Sequence, residues 1–222
     1  MRRWNAEVLG WAALGLGAGM LGGALLGGIA GTVTMWVALT VPVVLAFRRG
    51  VPRGLLAFRA GDLLYGIVIG GLLRIVQGWL SGGAFPSYAS LDGRLPPLWW
   101  ATDLIAGGLI APVVEEFFFR GLLLIVVFTL VRRFAGRSAA GRDTAGIGLG
   151  GFTAIVVSAG LFVVTHQLVS PLALGDAVAL SLLGVATGFL VVITGRIWPA
   201  VLVHVVFNLT GVGLTVIGTL LG

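Results

Sequence analysis

Apolar runs recur from one end of the 222-residue chain to the other, with only short polar connections between them. A helix crossing a bilayer needs about 20 apolar residues at about 1.5 Å of rise each. The run from Val8 to Phe47 is about twice that length, and Gly27, Gly28 and Gly31 near its middle divide it into two helices. Gly61 to Leu80 forms a third span, followed by a polar, proline-containing connection from Ser81 to Pro97. Trp99 and Trp100 suit an interfacial belt. Leu98 to Val131 is too long for one crossing and too short for two, and Pro112 is expected to break or kink it. A short interfacial or partly inserted helix to about Ala111 and a separate helix beyond it follow from that reading. Leu149 to Leu168, Asp176 to Thr194 and Ile197 to Leu220 supply three more spans. The expected fold is all-α: a polytopic transmembrane helix bundle of about seven spans plus one short helix, in a single integral domain over residues 1–222.

Composition agrees with that pattern, at 58% hydrophobic and 10% charged residues with a mean hydropathy of +1.10. No soluble domain is left over. The net charge of +6 comes from arginine alone, because the chain has no lysine. Arg2, Arg3, Arg48, Arg49, Arg53, Arg59, Arg132, Arg133, Arg137, Arg142 and Arg196 all fall on one side if the spans alternate. That side is expected to be the cytoplasm, with the N-terminus inside, in what reads as a bacterial cell membrane. Only Arg94 lies in an opposite connection, while Arg74 lies within the third span. The arginines therefore report topology and not a nucleic-acid partner. Met1-Arg2-Arg3-Trp4 precedes a run too long for a cleaved signal, so it is expected to be a retained anchor. The absence of cysteine removes disulfides, thiolate nucleophiles and cysteine metal ligands.

An ionisable side chain near the bilayer centre costs roughly 2.5 to 3.5 kcal/mol on insertion scales, so each one marks a candidate site. Glu115, Glu116, Arg120, His166, His204 and Asn208 are the strongest candidates, with Arg74, Gln77, Asp103 and Gln167 behind them. Glu116 and Arg120 stand at i and i+4 with the acid N-terminal, the favourable order for a helical ion pair. Glu115 points about 100° away round the helix and lacks that partner, so it is free to take a proton. His204 and Asn208 share a helix face, as do Phe162 and His166. Taken singly, each has a structural reading: a buried ion pair, an interhelical hydrogen bond, packing. If the faces converge, a carboxylate, two imidazoles and an amide meet, a set able to activate water and stabilise an oxyanion.

Other intramembrane hydrolytic patterns are missing. Neither histidine is followed by glutamate as in a zinc-binding HExxH helix, and Ser158 in "IVVSAGL" lacks the glycine of a Gly-x-Ser-Gly turn. "LALGD" has Ala173 where a Gly-x-Gly-Asp aspartate motif needs glycine.

"EEFFFR" (Glu115, Glu116, Arg120), "FVVTH" (Phe162, His166) and "HVVFN" (His204, Asn208) resemble, in order, the three motifs of the CPBP family, the CAAX-protease and bacteriocin-processing (Abi) intramembrane endopeptidases. The resemblance covers about Leu98 to Gly211, the expected catalytic core (98–211), and includes "TGRIWPAVLVH" ahead of the third motif. It implies an intramembrane endopeptidase that hydrolyses a peptide bond in a membrane-associated peptide or protein. By that resemblance Glu115 and His166 activate the attacking water, His204 and Asn208 hold the tetrahedral oxyanion, and Glu116, Arg120 and Phe162 give structural support. No cofactor is expected, with a zinc-dependent mechanism as the alternative, since two histidines and a carboxylate are a zinc-competent set. A transporter or immunity-type binding protein built on the same residues is the rival from another class, although no inverted repeat supports it. One mismatch stands: linear counting puts Glu115 and His166 nearer the outer face, but His204 only about 10 Å from the cytoplasmic one.

Overall fold

The computed structural model describes residues 4–83, 86–88, 93–138 and 143–221. Arg2, Arg3 and Arg142 of the charge pattern, and the Arg137 side chain, lie outside the described residues. The described chain is all-helical. Its elements are α1 (Ala6–Leu26), α2 (Gly28–Arg48), α3 (Gly61–Leu80), π1 (Trp100–Ile110), α4 (Ala111–Phe118), π2 (Phe119–Leu124), α5 (Ile125–Ser138), α6 (Asp143–Val169), α7 (Leu174–Thr194) and α8 (Trp198–Leu221). Six of them are long and apolar enough to cross a membrane. Their outward faces carry large apolar side chains such as Trp79, Ile75 and Leu174. Backbone bonds closed within helices, with apolar side chains outside, are what a lipid solvent demands, and the chain is an integral membrane protein.

Gly27 separates α1 from α2 with φ +62°, a conformation costly for residues with a Cβ. The two helices fold back on each other as a hairpin, and its open end is clasped by Arg49. That guanidinium pairs with Glu7 and lies 4.1 Å from the centroid of the Trp11 ring. On α3, Gly66 and Gly70 let the backbone approach α8 so closely that an added Cβ would come within 2.8 Å of Leu202 and 2.7 Å of the Val203 carbonyl. This is the small-residue packing expected where no hydrophobic effect drives helices together.

The arginine connections gather at one end of the bundle. Asp62 at the start of α3 pairs with Arg196 before α8, and the Ile197 N–H donates to the Leu55 carbonyl at 2.8 Å. Both Leu55 and Ile197 are buried, so α8 begins beneath the connection that covers it. His204 therefore lies deeper in the bundle than counting from the first residue of α8 places it, and its Nε2 reaches the Glu115 carboxylate at 3.8 Å.

Of the break or kink expected at Pro112, the break is absent, and the boundary near Ala111 is a change of winding within one helical path. π1 runs into α4, where Pro112 is the second residue, and α4 continues through π2 into α5. The reason is the winding. At the end of π1 the Ala111 N–H bonds the carbonyl five residues back, at Ala106. In that register the N–H of residue 112 would bond Gly107, and proline has none to offer. The Asn208 amide of α8 takes its place, donating to the Gly107 carbonyl at 2.9 Å. The backbone acceptor left by the proline is thus satisfied from a neighbouring helix, as buried carbonyls require in lipid.

Candidate active site

Two adjacent glutamates on α4 face different surroundings. Glu116 is 0% exposed and lies among charges: Arg120 Nη1 stands 3.1 Å from its Oε1, and His204 Nδ1 stands 2.9 Å from the same oxygen. A carboxylate only accepts, so His204 carries its proton on Nδ1 in this contact. Arg120 is equally enclosed. Its Nη2 donates to the Gly184 carbonyl of α7 at 3.1 Å, and its guanidinium lies 4.5 Å from the centroid of the Phe162 ring. Glu116 Oε2 and Arg120 Nε have no hydrogen-bond partner among the described protein atoms. The Arg120 Nη1 contact with Glu116 is close in distance but not aligned as a hydrogen bond, so the pair is held chiefly by charge. Buried polar atoms without hydrogen bonds are tolerated here because the opposite charges neutralise each other in place.

Glu115 is different. Its side chain is 17% exposed and lines a chamber of about 650 Å³, together with His166 of α6, Gly107 and Ala111 of the π1–α4 helix, and the α1–α2 hairpin. The Nε2 atoms of His166 and His204 each lie 3.8 Å from Glu115 Oε2. That separation exceeds a direct hydrogen bond and is short enough for a single water to touch both groups. His166 Nδ1 lies 2.9 Å from the Phe162 carbonyl, so this nitrogen donates and Nε2 presents its lone pair toward Glu115. Phe162 packs between the two imidazoles, with ring centroids 4.5 Å from His166 and 5.6 Å from His204.

The structure thus brings Glu115, His166 and His204 together and pairs Glu116 with Arg120. Asn208, one turn beyond His204 on α8, is tied to the π1 helix. One of its amide bonds goes to Gly107, and its side chain borders a second cavity on the other side of π1. Three supporting atoms had no sequence signal of their own. The Gly184 carbonyl that receives Arg120 is backbone. Ser158, excluded as a nucleophile by its sequence context, is fully buried and donates to the Phe119 carbonyl at 2.8 Å, where the winding changes to π2. The Gly107 carbonyl is exposed as an acceptor only by the π register of the preceding turn.

Helical segments with π winding are uncommon and concentrate at functional sites, and here two of them flank the glutamates. Among the described residues no three histidine, aspartate or glutamate side chains form a cluster at metal-ligand spacing.

No curated protein and no solved structure matches the chain. A family model, that of the Rce1-like type II CAAX prenyl endopeptidases, matches residues 97–210. The matched stretch begins just ahead of π1 and ends within α8, so it contains both glutamates, both histidines, Arg120 and Asn208. It covers slightly more than half of the chain, and the chain belongs to the Rce1-like family of type II CAAX prenyl endopeptidases, membrane-embedded proteases that act on membrane-associated proteins.

Proposed function

We propose that the protein hydrolyses a peptide bond with water activated by Glu115 and His166, without a metal. The observation that carries this reading is the placing of two imidazole Nε2 atoms at 3.8 Å from one carboxylate oxygen that borders a chamber. A water between Glu115 and His166 donates to both. As its oxygen attacks the scissile carbonyl carbon, Glu115 takes its proton and the new C–O bond forms. The oxyanion then needs donors. In this reading His204 turns its Nε2 to the oxyanion while Nδ1 is held by Glu116, and Asn208 offers the amide N–H that does not go to Gly107. Collapse breaks the C–N bond, and the proton held by Glu115 passes to the leaving amine. The products are a new carboxyl terminus and a free amine.

The two Nε2 atoms and the Glu115 carboxylate are also groups that zinc accepts. The His204 Nδ1 contact with Glu116 leaves Nε2 open to either role, a donor to the oxyanion or a metal ligand, and the chelation arm of the test below separates them. The arginine end of the bundle faces the cytoplasm in this reading, by the bias of its connections.

The test uses purified protein in lipid vesicles with membrane-anchored peptides, farnesylated and unmodified, in water enriched in oxygen-18. Wild-type protein is expected to give one new carboxyl terminus carrying the label. Glu115→Gln is expected to give none, and a zinc chelator is expected to leave the rate unchanged. Loss of activity on chelation with recovery on stoichiometric zinc would overturn the metal-free route.

A further inference from the structure

A second cavity, of about 550 Å³, lies between α3, π1, α7 and α8 at the end of the bundle opposite the arginine connections. Beside Pro86, Val212 and Leu214, its walls carry several charged and polar side chains. Arg74 of α3 donates to the Phe207 carbonyl and to Gln77, with its guanidinium 3.9 Å from the centroid of the Phe207 ring. Gln77 passes the chain of hydrogen bonds to Asp176 of α7 at 2.8 Å, and Ser81 reaches the same carboxylate oxygen at 3.3 Å. Asp103 of π1 and Asn208 of α8 complete the lining. An added Cβ at Gly211 would fall 2.4 Å from Arg74, so that glycine leaves the room the guanidinium occupies. Charges on three membrane helices are costly and mark polar pathways. Here Arg74 and Asp176 are linked through Gln77, and Asp103 accepts from the Thr102 hydroxyl, so each charge already has a polar partner.

The catalytic chamber is more apolar: Met20, Met35, Trp36, Leu39, Leu168 and Val169 surround the approach to Glu115. Gly107 borders both spaces, and its bond with Asn208 is the partition between them. Hydrolysis consumes one water for each bond cut, and a largely apolar chamber is a poor source of it.

We propose that the Arg74 cavity is the aqueous conduit of the enzyme, delivering water to Glu115 past the Gly107–Asn208 partition while the substrate occupies the apolar chamber. The inference rests on the hydrolase reading, and its test separates the two. The chain has no cysteine, so single introduced thiols report solvent access cleanly. Thr215→Cys lines the conduit, Ala106→Cys lines the catalytic chamber, and Ile75→Cys, on the lipid-facing side of α3, is the dry control. Gly78→Phe is the plug: Gly78 borders the conduit, and a Cβ there meets nothing within 4 Å, so the fold accommodates it.

With a charged, membrane-impermeant thiol reagent added from that side, Thr215→Cys and Ala106→Cys are expected to react much faster than Ile75→Cys. Gly78→Phe is expected to slow both by about tenfold or more and to lower kcat by a similar factor with little change in KM. A Thr215→Cys thiol as unreactive as the control would overturn the proposal. So would a plug that leaves Ala106→Cys labelling or kcat untouched. The labelling needs no substrate, so it decides on the conduit even if no peptide is cleaved, and that second result would count against the hydrolase reading alone.

Discussion

The two faces of α4 show how one helix turn can hold a charge for structure and a charge for chemistry. On the Glu116 face every partner is enclosed: Arg120 and Glu116 are both 0% exposed, and His204 and the Gly184 carbonyl close the set. On the Glu115 face the carboxylate borders open space, and the nearest imidazole nitrogens stand off by 3.8 Å. Neighbours in sequence point about 100° apart on a helix, and that rotation alone separates a packed interior from a chamber. The difference teaches that pairing and exposure, more than residue type, decide which glutamate can exchange a proton with a substrate.

The sharpest way to break the contrast is to remove charge from each face in turn. Glu115→Gln keeps the shape of the side chain and is expected to lower peptide cleavage by about 10⁴-fold, the upper range for loss of a general base. Its resistance to unfolding in denaturing detergent is expected to match wild type. If Glu115→Gln instead unfolds easily and the folded fraction still cleaves, the two faces have been assigned the wrong way round.

Arg120→Ala is the mirror experiment. It leaves Glu116 buried without its guanidinium partner, which typically costs about 3 to 5 kcal/mol, and it takes one donor from the Gly184 carbonyl, which keeps the Thr187 hydroxyl. Loss of folded protein is expected to account for most of the lost activity, and turnover per folded molecule is expected to survive far better than in Glu115→Gln. Full stability in Arg120→Ala would remove the structural role from the enclosed face.

Much of this was legible in the sequence, and the parts that were not share a cause. The third span was read at the residues where α3 begins and ends, and the break near Gly27 was visible as a glycine cluster inside an overlong run. The Glu116–Arg120 pair followed from i,i+4 spacing. The continuous path through Pro112 did not follow, because hydropathy and proline placement carry no sign of π winding. The Asn208–Gly107 bond was hidden for the same reason: a carbonyl left by a proline is visible only once the register of the preceding turn is known. Gly184 as the receiver of Arg120 was out of reach of any pattern, since a backbone acceptor leaves no mark on residue identity.

Asn208 stands between the two faces and sharpens the comparison further. If its free N–H serves the oxyanion, Asn208→Ala is expected to cost about 10² to 10³ in kcat. If it serves only the Gly107 carbonyl, the variant is expected to lower stability while kcat per folded molecule stays near wild type. Measuring both quantities on one preparation decides which role dominates.

Ser158→Ala is expected to have the smallest effect and tests the boundary of the enclosed face. The Ser158 hydroxyl is fully buried and donates at 2.8 Å to the Phe119 carbonyl, where α winding gives way to π winding just beyond the glutamates. Removing it leaves that carbonyl short of a donor, a loss of about 1 to 3 kcal/mol. Phe119 remains held by its edge contact with Phe162 at 5.2 Å, so the imidazoles around Phe162 keep their places. The variant is therefore expected to unfold at lower detergent while cleaving at close to the wild-type rate, and Ser158→Cys, a weaker donor of similar size, is expected to fall between the two. A stable but inactive Ser158→Ala would place a serine in the chemistry, and the division between a structural and a reactive face of α4 would have to be redrawn to include α6.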